Sequence, residues 1–118
     1  HLPKTMRCLQ VCTVREKREI PLSAITYIEV LGHQSHIHTT RQVLVTRRGL
    51  DALESELDSR DFLRCHRSFL VNMNYIQQIE DSDFQLTGGI KIPISTTNLA
   101  RIRNAFIDWT YCKAWGNP

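Results

Sequence analysis

The sequence predicts a mostly β, α+β fold: antiparallel β-sheets, one short amphipathic helix in the middle and one C-terminal helix. Three observations carry this. The first half consists of short β-prone runs that alternate apolar and polar residues. Only two stretches, residues 49–59 and 95–112, switch to helical spacing. Strands and helices do not alternate along the chain, which argues against a parallel sheet.

Residues 6–15 form the first run, with Leu9 and Val11 on one face, Cys8, Cys12 and Val14 on the other, and Gln10 as the polar break. Residues 20–24 read as a turn, compatible with one helical turn begun by Pro21. In 25–31, alternation puts Ile28 and Val30 on one face and Ile25, Tyr27 and Leu31 on the other. Gly32 ends that strand. Residues 35–39 and 41–46 follow as partners, with Val43 and Val45 pointing one way. Across 49–59, Leu50, Leu53 and Leu57 fall at helical spacing while Asp51, Glu54 and Asp58 fill the rest of the wheel, giving a helix with an acidic outer face.

The strand pattern resumes at 62–67. Residues 69–74 read as a tight connection, and 75–79 and 84–86 as strands. Gly88 and Gly89 suit a two-residue hairpin turn, since both tolerate φ > 0, and 91–94 is the return strand. Ser95 or Thr96 is the expected N-cap of a last helix that runs to about Cys112 and buries Leu99, Ile102, Phe106 and Trp109. The chain divides into a linker remnant at 1–5, one domain at 6–113 and a frayed end at 114–118.

At 118 residues, with 42% hydrophobic and 23% charged, the chain suffices for one self-supporting core. No window approaches the roughly 18 apolar residues of a membrane span. Cys8, Cys12, Cys65 and Cys112 form no CxxC pair, which suits a reducing cytoplasm. The net charge is only +3, but the acids cluster. Three windows, 30–50, 62–79 and 84–107, contain none, and they carry Arg41, Arg47, Arg48, Arg64, Arg67, Lys91, Arg101 and Arg103 together with His33, His36, His38 and His66. A face built from them would meet phosphates with one sign of charge. The acidic helix would repel phosphate, which places any DNA surface elsewhere.

His36 comes first among the residues suited to recognition. With Ile37 facing the core, His36 and His38 share the opposite, exposed face, where an imidazole beside Ser35 meets a base edge or a phosphate; a plain surface histidine fits the same pattern. Arg67 offers a planar fork suited to guanine or phosphate, and equally to a salt bridge with the helix acids. Ser68 suits a phosphate contact or a turn tie. Ser95, Thr96, Thr97 and Asn98 lead into the last helix, whose N-terminal N–H groups and dipole favour phosphate, while simple capping is compatible with the same residues. His33, His36 and His38 could begin a zinc site, but no third ligand is fixed by spacing. No hydrolase, metalloprotease or nucleotide-binding motif occurs, and strand neighbours Cys65 and His66 point to opposite faces, so no enzyme and no cofactor is expected.

One run is more specific than all of these: Phe62-Leu-Arg-Cys-His-Arg-Ser-Phe-Leu-Val-Asn. Together with Ile20-Pro-Leu-Ser-Ala-Ile-Thr-Tyr-Ile-Glu, the pair Ser35-His36 and Ile92-Pro-Ile-Ser, it resembles the LytTR family from about Met6 to Ile107. The resemblance implies an antiparallel β DNA-binding domain of a bacterial response regulator, which lays loops rather than a recognition helix into successive major grooves. It further implies cytoplasmic transcription regulation, a missing N-terminal receiver or sensor domain, and two molecules on paired short repeats in double-stranded DNA. In similar domains the positions of His36, Arg67 and Thr97 reach base edges. Relatives often carry a basic side chain at the last of these, whereas Thr97 offers only a methyl contact or one hydrogen bond. The positions of Ser35, Ser68, Ser95, Thr96 and Asn98 fall to backbone contacts. Some relatives pair the cysteine matching Cys65 with a partner that is Ile92 here, so a switch of that form is not expected. Two other functions compete: a protein-interaction module docking its basic face on an acidic or membrane-bound partner, and a zinc protein using the His33/His36/His38 strand.

Overall fold

The computed structural model describes residues 7–13, 15–57 and 60–115. The expected linker, Met6, Val14, the last two residues of the predicted first helix and the tail after Trp115 lie outside them.

The chain opens with an antiparallel hairpin of β1 (Cys8–Cys12) and β2 (Lys17–Pro21), followed by a single 3-10 turn at Leu22–Ala24 with Pro21 as its N-cap. Three strands come next, β3 (Ile25–Leu31), β4 (Gln34–Thr39) and β5 (Val43–Thr46), then helix α1 (Leu50–Leu57). A second hairpin is formed by β6 (Phe62–His66) and β7 (Phe69–Asn72). Strands β8 (Ile76–Glu80), β9 (Asp83–Leu86) and β10 (Lys91–Pro93) precede the terminal helix α2 (Leu99–Ala114). All pairings are antiparallel. The central sheet has the order β5-β4-β3-β7-β6, and β8–β10 make a separate sheet of three.

The central sheet is buried on both faces. Ile28, Ile37, Leu44 and Leu70 pack on one face against Leu9, Val11 and Ile20 of the first hairpin and Leu50, Leu53 and Leu57 of α1. Tyr27, Cys65 and Val71 pack on the other against Phe84, Leu86, Ile92 and Ile94, with Ile102 of α2. Each such side chain contributes roughly 1.5–3 kcal/mol by leaving water, so both cores clamp the same platform.

Several expectations are corrected. Phe69–Asn72 is a strand, not a tight connection, and it is the strand that joins β3 to β6. Residues 17–21 form β2, which the sequence did not show as a strand. Ile25 packs with Ile28 rather than with Tyr27, because a register shift between Ile25 and Tyr27 turns the strand's start over; simple alternation cannot foresee a bulge. The β9–β10 turn takes three residues: Leu86 faces Ile90 (N–O 2.7 Å), leaving Thr87, Gly88 and Gly89, with both glycines at positive φ (92° and 81°). The N-cap of α2 is Asn98, with no side-chain capping bond, instead of Ser95 or Thr96. The helix also continues through Ala114, past the expected frayed boundary. Among the described residues no helix is long and apolar enough to cross a membrane.

Candidate nucleic-acid interface

One end of the central sheet collects most of the predicted site. Pairing of Leu31 with Gln34 puts the Gly32-His33 turn at that end, and Gly32 (φ 64°) supplies the positive dihedral it needs. Pairing of Ser35 with Thr46 brings Arg47 and Arg48 beside it. The β6–β7 turn, Arg67-Ser68, arrives there too, because Glu29 faces Phe69 and the Val30 amide donates to the Ser68 carbonyl at 2.9 Å. Finally, the Ser95 amide donates to the Cys65 carbonyl at 2.8 Å, which hangs the run 95–98 on the same end of β6.

The register aligns one row across all five strands of the sheet: His66, Phe69, Glu29, His36 and Val45. His36 is half-buried and, among the described residues, its ring has no hydrogen-bond partner. From β4 to β6 is three strand spacings, about 14 Å, which sets the scale between His36 and the Arg67 turn. Arg67 is exposed at the tip of that turn. Among the described residues its guanidinium makes no ion pair, so the salt bridge that competed for it belongs elsewhere.

That elsewhere is Arg64. Its guanidinium meets Asp51 (2.8 Å) and Glu54 (2.9 Å) of α1. Burial acts to lower the Arg64 pKa, but hydrogen bonds and charge from the two carboxylates outweigh it and hold the group above its ordinary value. Arg48 is likewise taken up by Glu56 and by the Gln10 carbonyl. Neither arginine could be sorted from Arg47 and Arg67 by sequence, since their partners lie on another element. Arg47 is exposed and lines an open pocket with Leu31, His33 and Gln34.

Glu29 is the one acid in the row. Its carboxylate lies 2.9 Å from Nε2 of His38, whose ring stacks on Tyr27 at 4.1 Å. Burial first, and the Glu29 charge second, push the Tyr27 hydroxyl above its usual pKa. His36 and His38 therefore share a face as expected, but His38 is committed to that stack and His33 sits apart in the turn. Among the described residues no group of three or more His, Cys, Asp or Glu converges as a metal site would require.

Ser35 departs from expectation. It is buried, at 1% exposure, and its hydroxyl donates inward to the Arg48 carbonyl at 2.6 Å. In an antiparallel strand the neighbour of a half-exposed His36 must face the other way, so Ser35 secures the exit of β5 rather than offering a hydroxyl to phosphate. Ser68, Ser95, Thr96, Thr97 and Asn98 are all partly or fully exposed. Cys65 is a core residue: burial pushes its thiol up to about 12, so it is protonated at neutral pH and no nucleophile. Asn72, at the end of the hallmark run, is buried; its amide donates to the Ile25 carbonyl and its oxygen caps the turn at Met73–Tyr75.

A rigid β platform that presents turns and a helix N-terminus on one basic, acid-poor end defines a nucleic-acid-binding class of module. Comparison names the family: residues 15–107 match the LytTr DNA-binding domain, and the chain belongs to the LytTR family. It is 32% identical over 83 residues to the sensory transduction protein LytT of Bacillus anthracis, covering 66% of this chain and 34% of that protein. To the transcriptional regulatory protein YpdB of Escherichia coli (strain K12) it is 36% identical over 69 residues, covering 57% and 28%. The solved LytTr DNA-binding domain of a Bacillus cereus protein superposes with a TM-score of 0.72 at 25% identity, covering 83% of this chain and 94% of that one. The chain thus spans about a third of the length of the curated relatives it matches.

Proposed function

We propose that this domain binds double-stranded DNA sequence-specifically, as the output module of a bacterial transcription regulator acting in the cytoplasm. Its turns enter the major groove, where Arg67 and His36 read base edges and Thr97 adds a methyl or single hydrogen-bond contact. Ser68, Ser95, Thr96 and Asn98 hold phosphates and set register; Ser35 supports them only through the Arg48 carbonyl. Two molecules occupy paired short repeats, with a receiver or sensor domain elsewhere in the protein setting their activity.

The observation that carries this reading is the division of labour among the arginines. Arg64 and Arg48 are engaged by α1, while Arg67, at the tip of a tied hairpin, has its fork in no ion pair among the described residues. A bidentate fork held ready at an exposed turn is the group best matched to guanine O6 and N7.

In vitro selection from a random duplex library at moderate salt tests it, with His36→Ala and Arg67→Ala run beside the wild type. Enrichment of short paired repeats, blurred at separate base positions by the two substitutions, is the expected result. A folded protein that enriches nothing, and that instead binds an acidic protein partner, would replace this reading with a protein-docking one.

A further inference from the structure

Arg64 lies within the most specific run of the sequence, yet its side chain is turned to the α1 side of the central sheet, opposite the face that carries His36. There it uses every edge of its fork. Nε donates to the His66 carbonyl at 3.0 Å and one Nη to the Arg67 carbonyl at 2.6 Å; the other Nη reaches Asp51 and Glu54. We propose that Arg64 is a positioning residue for base readout: with α1 behind it, it holds the backbone of the Arg67 turn so that the Arg67 side chain is presented in one orientation. The inference rests on the DNA-reading role given to Arg67 above.

The geometry of the turn supports it from three sides. Arg64 grips the carbonyls of His66 and Arg67. Nδ1 of His66 accepts the Ser68 amide at 3.1 Å, closing the turn, and the Ser68 carbonyl takes the Val30 amide, tying it to β3. Among the described residues the exposed Arg67 guanidinium takes no part in these ties. A contact to a base edge requires a carrier fixed to within a fraction of an ångström, and ordering the carrier before binding removes that cost from the association.

The partners of Arg64 do different work. Asp51 is 93% exposed and Glu54 44% exposed, so solvent screens both ion pairs and they add little stability. Both carbonyl bonds are charge-assisted; the one to His66 is part-buried and the one to Arg67 is exposed. They fix the turn, while the carboxylates keep the guanidinium from swinging out towards a phosphate. This also gives the acidic face of α1 a use beyond repelling DNA. Lysine at position 64 would keep the charge but, as a single point donor, could not span both carbonyls and both acids.

The test compares Arg64→Lys, Arg67→Ala and the double variant on a selected duplex and on the same duplex changed at the base pair Arg67 reads. Arg64→Lys is expected to lower the affinity ratio of the two duplexes about fivefold, a part of what a whole bidentate contact contributes, with the salt slope unchanged. In the Arg67→Ala background it is expected to add nothing. Should Arg64→Lys fold poorly, as read by its Tm, the surface variant Asp51→Asn/Glu54→Gln takes its place, with a smaller fall of the same ratio. An unchanged ratio in the folded variant, while Arg67→Ala collapses it, overturns the positioning role. So does a salt slope lower by about one with the ratio intact, which marks a direct phosphate contact. If Arg67→Ala itself leaves the ratio untouched, the readout role of Arg67 fails first, and the inference falls with it.

Discussion

The α1 flank and the far end of the central sheet carry arginines of the same chemistry and treat them oppositely. On the flank, Arg48 and Arg64 reach Glu56, Asp51 and Glu54, and further donors go to backbone carbonyls. At the sheet end, Arg47 and Arg67 stand exposed beside His33 and His36, and among the described residues none of the four forms an ion pair, Glu29 being taken by His38. The lesson concerns how charge should be read. A net charge of +3 is uninformative, and even acid-free windows mix the two kinds of cation. What distinguishes a binding end from a structural flank is which cations keep their donors unspent after folding.

Breaking the flank from within has the largest expected effect. Leu53 is fully buried under the sheet, and Leu53→Ala should cost about 2–5 kcal/mol of stability by opening a cavity, seen as a lower denaturant midpoint. Specific DNA affinity, measured where the variant is still folded, should change far less. Arg67→Ala should do the reverse: about 1–3 kcal/mol of specific binding lost, with the midpoint of unfolding unmoved because the exposed side chain makes no ion pair among the described residues. A midpoint that drops with Arg67→Ala would show its fork to be structural after all.

Smaller effects sharpen the contrast between adjacent residues. Arg47→Ala should weaken binding to all sequences alike and reduce the salt slope by about one, measured by titration across salt concentrations. Arg48→Ala, one position on, should leave that slope alone and cost about 0–1 kcal/mol of stability. Equal behaviour of the two would erase the distinction between spent and unspent cations.

Much of this was legible in the chain because the deciding signals are local. Ile25–Leu31 and Leu50–Leu57 follow from alternation and from the spacing of three leucines. Arg67 stood out in a polar break between two apolar runs and His36 on the strand face opposite Ile37, and the hallmark run supplied the family. What the sequence hid is long-range. The β7 strand Phe69–Asn72 is so short that only its pairing with β3 and β6 makes it a strand. The bulge near Thr26 reverses Ile25, and burial of Ser35 depends on the Arg48 carbonyl, which arrives from the next strand. Arg64 shares an acid-free window with Arg67, and nothing near it in sequence announces Asp51 and Glu54.

DNA is expected to meet the sheet end and to leave the α1 flank free. Backbone amide NMR of the 118-residue chain, titrated with a selected duplex, tests it most directly. Shifts should concentrate at His33 to His36, Arg47, His66 to Ser68 and Ser95 to Asn98, with Asp51 to Glu56 unmoved. Shifts centred on Asp51 to Glu56, with the Arg67 turn silent, would contradict it.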